Sequence, residues 1–360
     1  MNIGIHCDIL RNEHTGVEYY TQNLIQHLPS KPVLIHSEKF HHHLFKQYKT
    51  ISFFSGPRFP GSRSVYNLFN RTPQNIDIIH YPTVSNPYFG NSKSKIVVTI
   101  HDITPLLMPE FHNWKRNVFF RLFLRSWLTK STKIIVDSHN TKSDLLQRFN
   151  IPSSKINVVH LGVGSNFKPI KNHQVIQKYH LPEHYILFVG TIEPRKNISR
   201  LITAYTQLNP QEKLVIVGRR GWKNEKIIAA IKNNPNIQIV NDVEEQDLPA
   251  VYSHARLFVY PSLYEGFGLP VLEAMACGCP VITSNISSLP EVAGNATILV
   301  NPYNIIEITT SMNRVLKDKK LQEHLKRQGL KQAKKFSWKK CAKETFKIYQ
   351  ETYNEHTTSR

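Results

Sequence analysis

Two carboxylates stand eight residues apart in the run Tyr264-Glu265-Gly266-Phe267-Gly268-Leu269-Pro270-Val271-Leu272-Glu273-Ala274. Gly266 and Gly268 let the backbone approach an anionic group closely. The helix that Pro270 opens exposes unpaired N–H groups and a positive dipole end at the same place. Glu265 falls in the turn and Glu273 about one turn into the helix, so both carboxylates line one mouth. Carboxylates suit neutral hydroxyls better than phosphates, which points to sugar and ribose hydroxyls as ligands. Gly278, just after Cys277, ends the short helix.

Charge of the opposite sign comes from Arg195 and Lys196. They follow the apolar run Tyr185 to Val189 and precede a helix opened by Asn197, the place where open parallel sheets bind ligands. A reaction that releases a nucleoside diphosphate builds negative charge on the departing phosphate, and cations with oriented N–H donors meet that need. Gly190 admits close backbone approach there. A second ionisable pair, His101 and Asp102, ends the most apolar strand of the N-terminal half. Some enzymes hold a divalent metal for the diphosphate with an Asp-x-Asp pair. No strict pair occurs here, the nearest being Asp242-Val243-Glu244, so a metal-free site without a cofactor is expected. His41-His42-His43 cannot share one helix face and reads as a solvated loop. Cys277-Gly278-Cys279 reads as small residues packed at a helix end.

The elements that must position these groups alternate. Ile3 to Cys7, short segments near Val33 and Ile78, Ile96 to Ile100, Lys133 to Ser138 and Asn157 to His160 read as strands. Between them come a helix from Gly16 to Leu28 and a helix start signal at Thr141 to Asp144. A second series runs through Tyr185 to Val189, Leu214 to Val217, Ile237 to Val240, Leu257 to Tyr260 and Val281 to Thr283. Apolar strands alternating with helices imply an α/β fold with two doubly wound parallel sheets. The glycines and proline of Leu161 to Pro169 mark the hinge. The expected division is residues 1–166, residues 167–335, and a C-terminal helix in residues 336–360 with Trp338, Cys341, Ala342, Thr345, Ile348 and Tyr349 on one face.

Glu265 and Glu273, with Glu-Gly-Phe-Gly at their front, resemble the retaining glycosyltransferases of family four, whose fold is GT-B, two Rossmann-like domains facing a cleft. The resemblance extends over nearly the whole chain. Phe188 to Asn197 is similar to that family's phosphate-binding loop, and His101-Asp102 followed by Pro109-Glu110 to its N-terminal active-site segment. The resemblance implies that Glu265 contacts the donor sugar and Glu273 the nucleotide ribose, and that His101 lies beside the donor sugar. It implies a donor site of Gly16, Gly190, Arg195, Lys196, Val243, Glu265, Gly266, Phe267, Gly268, Leu269 and Glu273, with His101, Asp102, Arg195, Lys196 and Glu265 as its catalytic members. It also implies that the C-terminal helix crosses back onto the first domain. Two positions depart from the family pattern. Thr191 stands where an arginine often follows the glycine, and Glu18 replaces the second glycine of the loop around Gly16. The branch it resembles is rich in mannosyltransferases of polysaccharide and lipopolysaccharide synthesis, so GDP-mannose is the first donor expected.

A chain of 360 residues exceeds the size at which one core usually stops growing, in keeping with two domains. Its 4 cysteines are irregularly spaced, as in reduced cytoplasmic proteins. Its first residues alternate like a strand and not like a signal peptide, and no apolar run reaches the about 20 residues that span a bilayer. The formal net charge of +20 asks for an anionic partner. Nineteen basic and nine acidic side chains fall in residues 1–166, so the excess is shared by both halves. Trp114 to Lys133 carries Lys115, Arg116, Arg121, Arg125, Lys130 and Lys133 without an acid, interleaved with aromatic and aliphatic residues. This segment suits an anionic membrane surface or, alternatively, a helix partly buried against the sheet. A nucleic-acid partner would need stacking aromatics in a basic strand motif, and none is found. The sequence therefore points to a cytoplasmic enzyme, peripheral at the inner face of the membrane. It would transfer a hexose from a nucleotide sugar to a glycan or lipid-linked acceptor. The alternatives are a basic nucleic-acid-binding protein and a GT-B enzyme of another reaction type, an inverting transferase or an epimerase.

Overall fold

The computed structural model describes residues 1–10, 15–36, 45–52, 75–84 and 93–355, apart from the side chain of Arg116. His41-His42-His43 lies outside them. The chain forms two compact units. The first comprises Met1–Pro109, Asn113–Gly162 and Trp338–Arg360, and the second Glu110–His112 and Val163–Ser337. Val163 and Ser337 form a parallel bridge, so the chain enters and leaves the second unit side by side.

The first unit contains a parallel sheet of β1 (Ile3–His6), β2 (Val33–His36), β3 (Thr50–Ser52), β4 (Ile78–Tyr81), β5 (Lys95–Ile100), β6 (Lys133–Val136) and β7 (Ile156–Val158), in the order β3-β2-β1-β4-β5-β6-β7. The second contains β8 (Tyr185–Val189), β9 (Lys213–Val217), β10 (Ile237–Val240), β11 (Leu257–Tyr260), β12 (Val281–Ser284) and β13 (Ile298–Val300), in the order β10-β9-β8-β11-β12-β13. Each sheet reverses its strand order once, between β1 and β4 or between β8 and β11. Such reversals open a crevice at the carboxyl ends of the strands. All residues of β8, β11 and β12 are buried, as strands covered by helices on both faces must be.

Local signals explain most element ends. Thr15 accepts from the Glu18 N–H at 3.2 Å and starts the helix Gly16–His27. Thr15 and Glu18 have the spacing of a capping box. Ser138 caps the helix His139–Arg148, three residues earlier than the Thr141 signal suggests, with Thr141 N–H on its hydroxyl at 3.1 Å. β3 has three residues and no apolar run to announce it, and pairs with β2; β13 is the short apolar run Ile298–Val300, which the sequence reading did not pick out, and pairs with β12. Trp338–Asn354 packs on the helix Gly16–His27 and on β4, β5 and β6, and so belongs to the first unit. Its expected face, Trp338, Cys341, Ala342, Thr345, Ile348 and Tyr349, is buried.

The helix Trp114–Lys130 has two characters. Phe120, Leu124, Trp127 and Leu128 join the core under β5 and β6, while Trp114, Val118 and Leu122 are exposed. Lys115, Arg121, Arg125 and Lys130 are exposed beside them. The reading of a helix partly buried against the sheet holds for one side of it, and the other side is exposed and basic.

Candidate active site

The crevice between β8 and β11 gathers most of the sequence-picked residues of the second unit. The loop after β8 carries Glu193, Arg195 and Lys196, and the loop after β11 carries Ser262 and Glu265. The two are stitched together: Leu263 N–H donates to the Arg195 carbonyl at 2.9 Å. Asn197, at φ 60°, donates from its amide to the carbonyls of Pro261 at 2.9 Å and Pro302 at 2.7 Å. The Gly218 Cβ position lies 2.0 Å from the Gly190 carbonyl oxygen, so only glycine permits this approach of the β8 and β9 ends.

Glu265 is at the centre and 7 % exposed. Its Oε1 accepts from Lys196 Nζ at 2.7 Å, from the Tyr260 hydroxyl at 2.9 Å and from the Ser262 hydroxyl at 2.6 Å. Arg195 donates to its Oε2 at 3.1 Å, to the Tyr264 carbonyl at 2.6 Å and to Glu193 Oε1 at 2.7 Å. Two carboxylates and two cations thus balance in a buried cluster, which is what makes burial tolerable. Burial pushes the Glu265 carboxyl up, but the charges of Arg195 and Lys196 and the donated hydrogen bonds prevail and hold it at about 2. Burial and the neighbouring Arg195 push the Lys196 ammonium down, against the pull of Glu265. The sequence placed these cations in the crevice but did not show that the first glutamate of the pair is their counter-ion.

The backbone behind Glu265 is fixed by Ser287 and Ser288. Both hydroxyls donate to the Glu265 carbonyl, at 2.6 and 2.9 Å, and Ser288 also reaches the Phe267 carbonyl at 2.8 Å. Gly268, at φ 113°, turns the chain into the helix Leu269–Ala276, with Pro270 one residue inside its start. Gly266 and Phe267 are buried, and Phe267 packs edge-on against Phe336 at 5.8 Å. Leu269 is half-buried.

Glu273 has a different environment. Its Oε2 accepts from the Tyr252 hydroxyl at 2.9 Å. Burial pushes its carboxyl up to about 7, Tyr252 opposing and Glu245 reinforcing the shift. Two carboxylates of one motif are therefore set apart by their surroundings, one locked as an anion and the other titrating near neutrality. Val243 is half-buried between two acids that face separate cations: Asp242 accepts from Arg219 at 2.9 Å and Glu244 from Lys178 at 2.6 Å. Cys277 and Cys279 are buried free thiols whose ionisation burial suppresses, and Gly278 ends the helix at φ 69°.

In the first unit Gly16 begins its helix, and no described neighbour demands glycine there. His101 follows β5, but its ionic partner is not Asp102. Asp102 Oδ1 accepts from the N–H and hydroxyl of Thr104, at 2.9 and 2.6 Å, and starts the short helix Thr104–Leu107. The partner is Asp137, whose Oδ2 lies 2.6 Å from His101 Nδ1. Asp137, Tyr252, Tyr260, Ser262 and the two serines after β12 are site neighbours that the sequence did not single out. The one available signal was a polar residue closing a buried strand, as in Tyr260 and Asp137.

Two family profiles cover the chain in turn. One described as Glycosyltransferase Family 4 matches residues 14–166, and one described as glycosyl transferases group 1 matches residues 170–332. The O-antigen chain mannosyltransferase B of Escherichia coli is 37 % identical over 284 residues, 76 % of this chain and 74 % of the relative. The serotype-specific mannosyltransferase WbdA of Escherichia coli is 34 % identical over 277 residues, 72 % of this chain but only 34 % of the relative. This chain spans about a third of that longer protein. Among solved structures, the sucrose-phosphate synthase of Thermosynechococcus elongatus matches with a TM-score of 0.76 over 99 % of this chain and 100 % of its own, at 19 % identity. Anabaena Alr3699/HepE in complex with UDP and glucose matches with 0.77 over 97 % and 99 %, at 15 % identity. At these identities the likeness is one of fold.

Proposed function

The chain belongs to glycosyltransferase family 4, with the GT-B fold, and we propose that it moves mannose, with retention, from a nucleoside-diphosphate sugar to a glycan or lipid-linked acceptor of a bacterial surface polysaccharide. The observation that carries this reading is the balanced cluster of Glu193, Arg195, Lys196 and Glu265 at the β8–β11 strand ends. A diphosphate entering there meets two cations already oriented by carboxylates and backbone carbonyls, so little reorganisation is needed as charge develops on the leaving group. As Arg195 and Lys196 turn to phosphate, Glu265 becomes free to accept from sugar hydroxyls. The choice of mannose leans on the names of the relatives, a mannosyltransferase B of the O-antigen chain and WbdA. The leaving-group charge is assigned to Arg195 and Lys196 without a metal.

The test is a calorimetric titration of the protein with GDP-mannose and UDP-hexoses, followed by a transfer assay. GDP-mannose is expected to bind and turn over, with excess EDTA leaving the rate unchanged. Binding of a UDP-sugar alone would change the donor, and inactivation by EDTA reversed by Mn²⁺ or Mg²⁺ would replace the metal-free scheme.

Glu273 makes the same titration pH-dependent. Ribose hydroxyls donate to a carboxylate, so donor binding should favour the ionised form and tighten as pH rises through about 7, with release of a proton. Replacing Glu273 with alanine removes a charged acceptor worth about 1.5 to 3 kcal/mol and should abolish that pH dependence. Unchanged donor affinity in a folded Glu273→Ala protein would remove Glu273 from the ribose site.

For the acceptor side we place an anionic membrane surface against the helix Trp114–Lys130. None of the described helices is long and apolar enough to cross a membrane. Exposed Trp114, Val118 and Leu122 among exposed Lys115, Arg121 and Arg125 suit an interface instead. Each cation there contributes about 1 kcal/mol at an anionic surface. Vesicles with anionic lipid should sediment the protein at low salt and release it as salt rises, and neutral vesicles should not. Arg121→Gln with Arg125→Gln should weaken sedimentation and leave donor binding intact; undiminished sedimentation would move the membrane face elsewhere.

A further inference from the structure

The strand ends of the first unit hold a polar constellation with no part yet in the transfer scheme. Parallel pairing sets Ile100 of β5 beside Val136 of β6, so the residues that follow, His101 and Asp137, leave their strands side by side. His101 Nδ1 is 2.6 Å from Asp137 Oδ2, and Nε2 is 2.9 Å from the Pro82 carbonyl oxygen. A carbonyl can only accept, so Nε2 carries a proton. A second proton lies between Nδ1 and the carboxylate, which is 3 % exposed. Burial opposes the charged ring, but the charge and hydrogen bond of Asp137, the Pro82 carbonyl and the charge of Asp102 outweigh it and raise the His101 pKa.

The groups packed around the His101 ring add no cation to it. Tyr20, from the helix Gly16–His27, lies edge-on to the His101 ring at 4.9 Å and bonds Thr99 of β5 at 2.9 Å. Thr99 bonds His80 of β4 at 2.8 Å, and His80 bonds the Tyr349 hydroxyl of the C-terminal helix at 2.5 Å. Burial, helped by the His101 charge, pushes His80 down to about 3, so it stays neutral and brings no second cation. Burial, with the charge of Asp102, pushes the Asp137 carboxyl up, while the charge and hydrogen bond of His101 and the charge of His160 oppose that rise. Burial and, behind it, the charge of Asp137 raise the thiol of Cys341 on the C-terminal helix.

We propose that Asp137 is a positioning residue for the transfer, keeping both nitrogens of the His101 ring protonated so that His101 serves as donor and positive charge and never as base. The inference rests on the glycosyltransferase reading. In that reaction the bond from the anomeric carbon to the leaving phosphate oxygen breaks and the bond to the acceptor oxygen forms. The acceptor proton goes to the departing phosphate. A ring without a lone pair to offer is consistent with that route, because it cannot divert the proton.

The test uses the full chain with ¹⁵N-labelled histidine, the His101 signals being assigned by their loss in His101→Gln. Both ring nitrogens of His101 should read as protonated at pH 8, where a histidine of ordinary pKa is about 97 % neutral. An opposite charge at this distance favours the protonated ring. Asp137→Asn should therefore move the ring's titration to lower pH, since burial then meets less opposition and the asparagine amide can donate to a bare Nδ1. Its kcat should fall about 10-fold or more at pH 8, recover as pH is lowered, and be partly restored in Asp137→Glu. A wild-type ring that is neutral at pH 8 overturns the proposal, and so does an Asp137→Asn enzyme with an unaltered pH profile. If Asp137→Asn does not fold, the wild-type spectrum still decides. If the wild type transfers no sugar, it is the glycosyltransferase reading that fails, and the ring titration reports on the pair regardless.

Discussion

Replacement of Glu265 by glutamine is expected to destabilise the second unit by about 3 to 5 kcal/mol and to abolish transfer. The substitution turns a carboxylate that accepts from four donors, of Lys196, Tyr260, Ser262 and Arg195, into an amide with one neutral acceptor oxygen, and leaves a buried excess of positive charge, which is the costly way to break an ion cluster. The titration of the wild type bears on the same quantity. A carboxyl held at about 2 instead of its ordinary 4.5 contributes stability that is present above about pH 4.5 and lost as pH falls towards 2. Linkage makes that contribution about 3 kcal/mol. Wild-type stability should therefore fall between pH 4.5 and 2, and Glu265→Gln should be less stable at neutral pH with a flatter acid limb. Urea titrations of both proteins by circular dichroism, at pH 7 and along the acid limb, measure the difference. Equal urea midpoints at pH 7 would show that the cluster adds nothing to folding.

Lys196→Ala should lower kcat by about 100-fold or more while the protein remains folded. Glu265 keeps Arg195 as its partner, so the variant loses less stability than one lacking the carboxylate. What it loses in turnover is larger, because a departing diphosphate carries more charge in the transition state than in the bound donor. Lys196 is 8 % exposed, where weak solvent screening strengthens the effect of its charge. Steady-state kinetics with the cognate donor, on protein whose circular dichroism matches the wild type, separate the outcomes. A raised KM with unchanged kcat would make Lys196 a residue of uniform binding.

Much of this could be read along the chain. Runs such as Ile96 to Val98 and Leu257 to Val259 are apolar throughout, as in strands covered on both faces, and their alternation with helices implies parallel sheets. Glycines and prolines placed the loops, so the segments carrying His101, Arg195, Lys196 and Glu265 were found at strand ends. Glu265 and Glu273 stood out because a helix start and its first turn are local features. The face of the C-terminal helix was legible for the same reason, from its period of apolar side chains.

Partnership was not local, and only the tertiary structure decided it. Lys196 meets Glu265 across 69 residues and Arg195 across 70, because β8 and β11 are neighbours at the reversal of the sheet. His101 pairs with Asp137 across 36 residues, and not with adjacent Asp102, because parallel register aligns the ends of β5 and β6. The difference between Glu265 at about 2 and Glu273 at about 7 has the same origin. Both are glutamates of one motif, and a carboxyl's charge is set by the cations and desolvation around it. Composition and spacing determine where a side chain lies along a strand or helix; its proton depends on neighbours that only folding brings within a few ångströms.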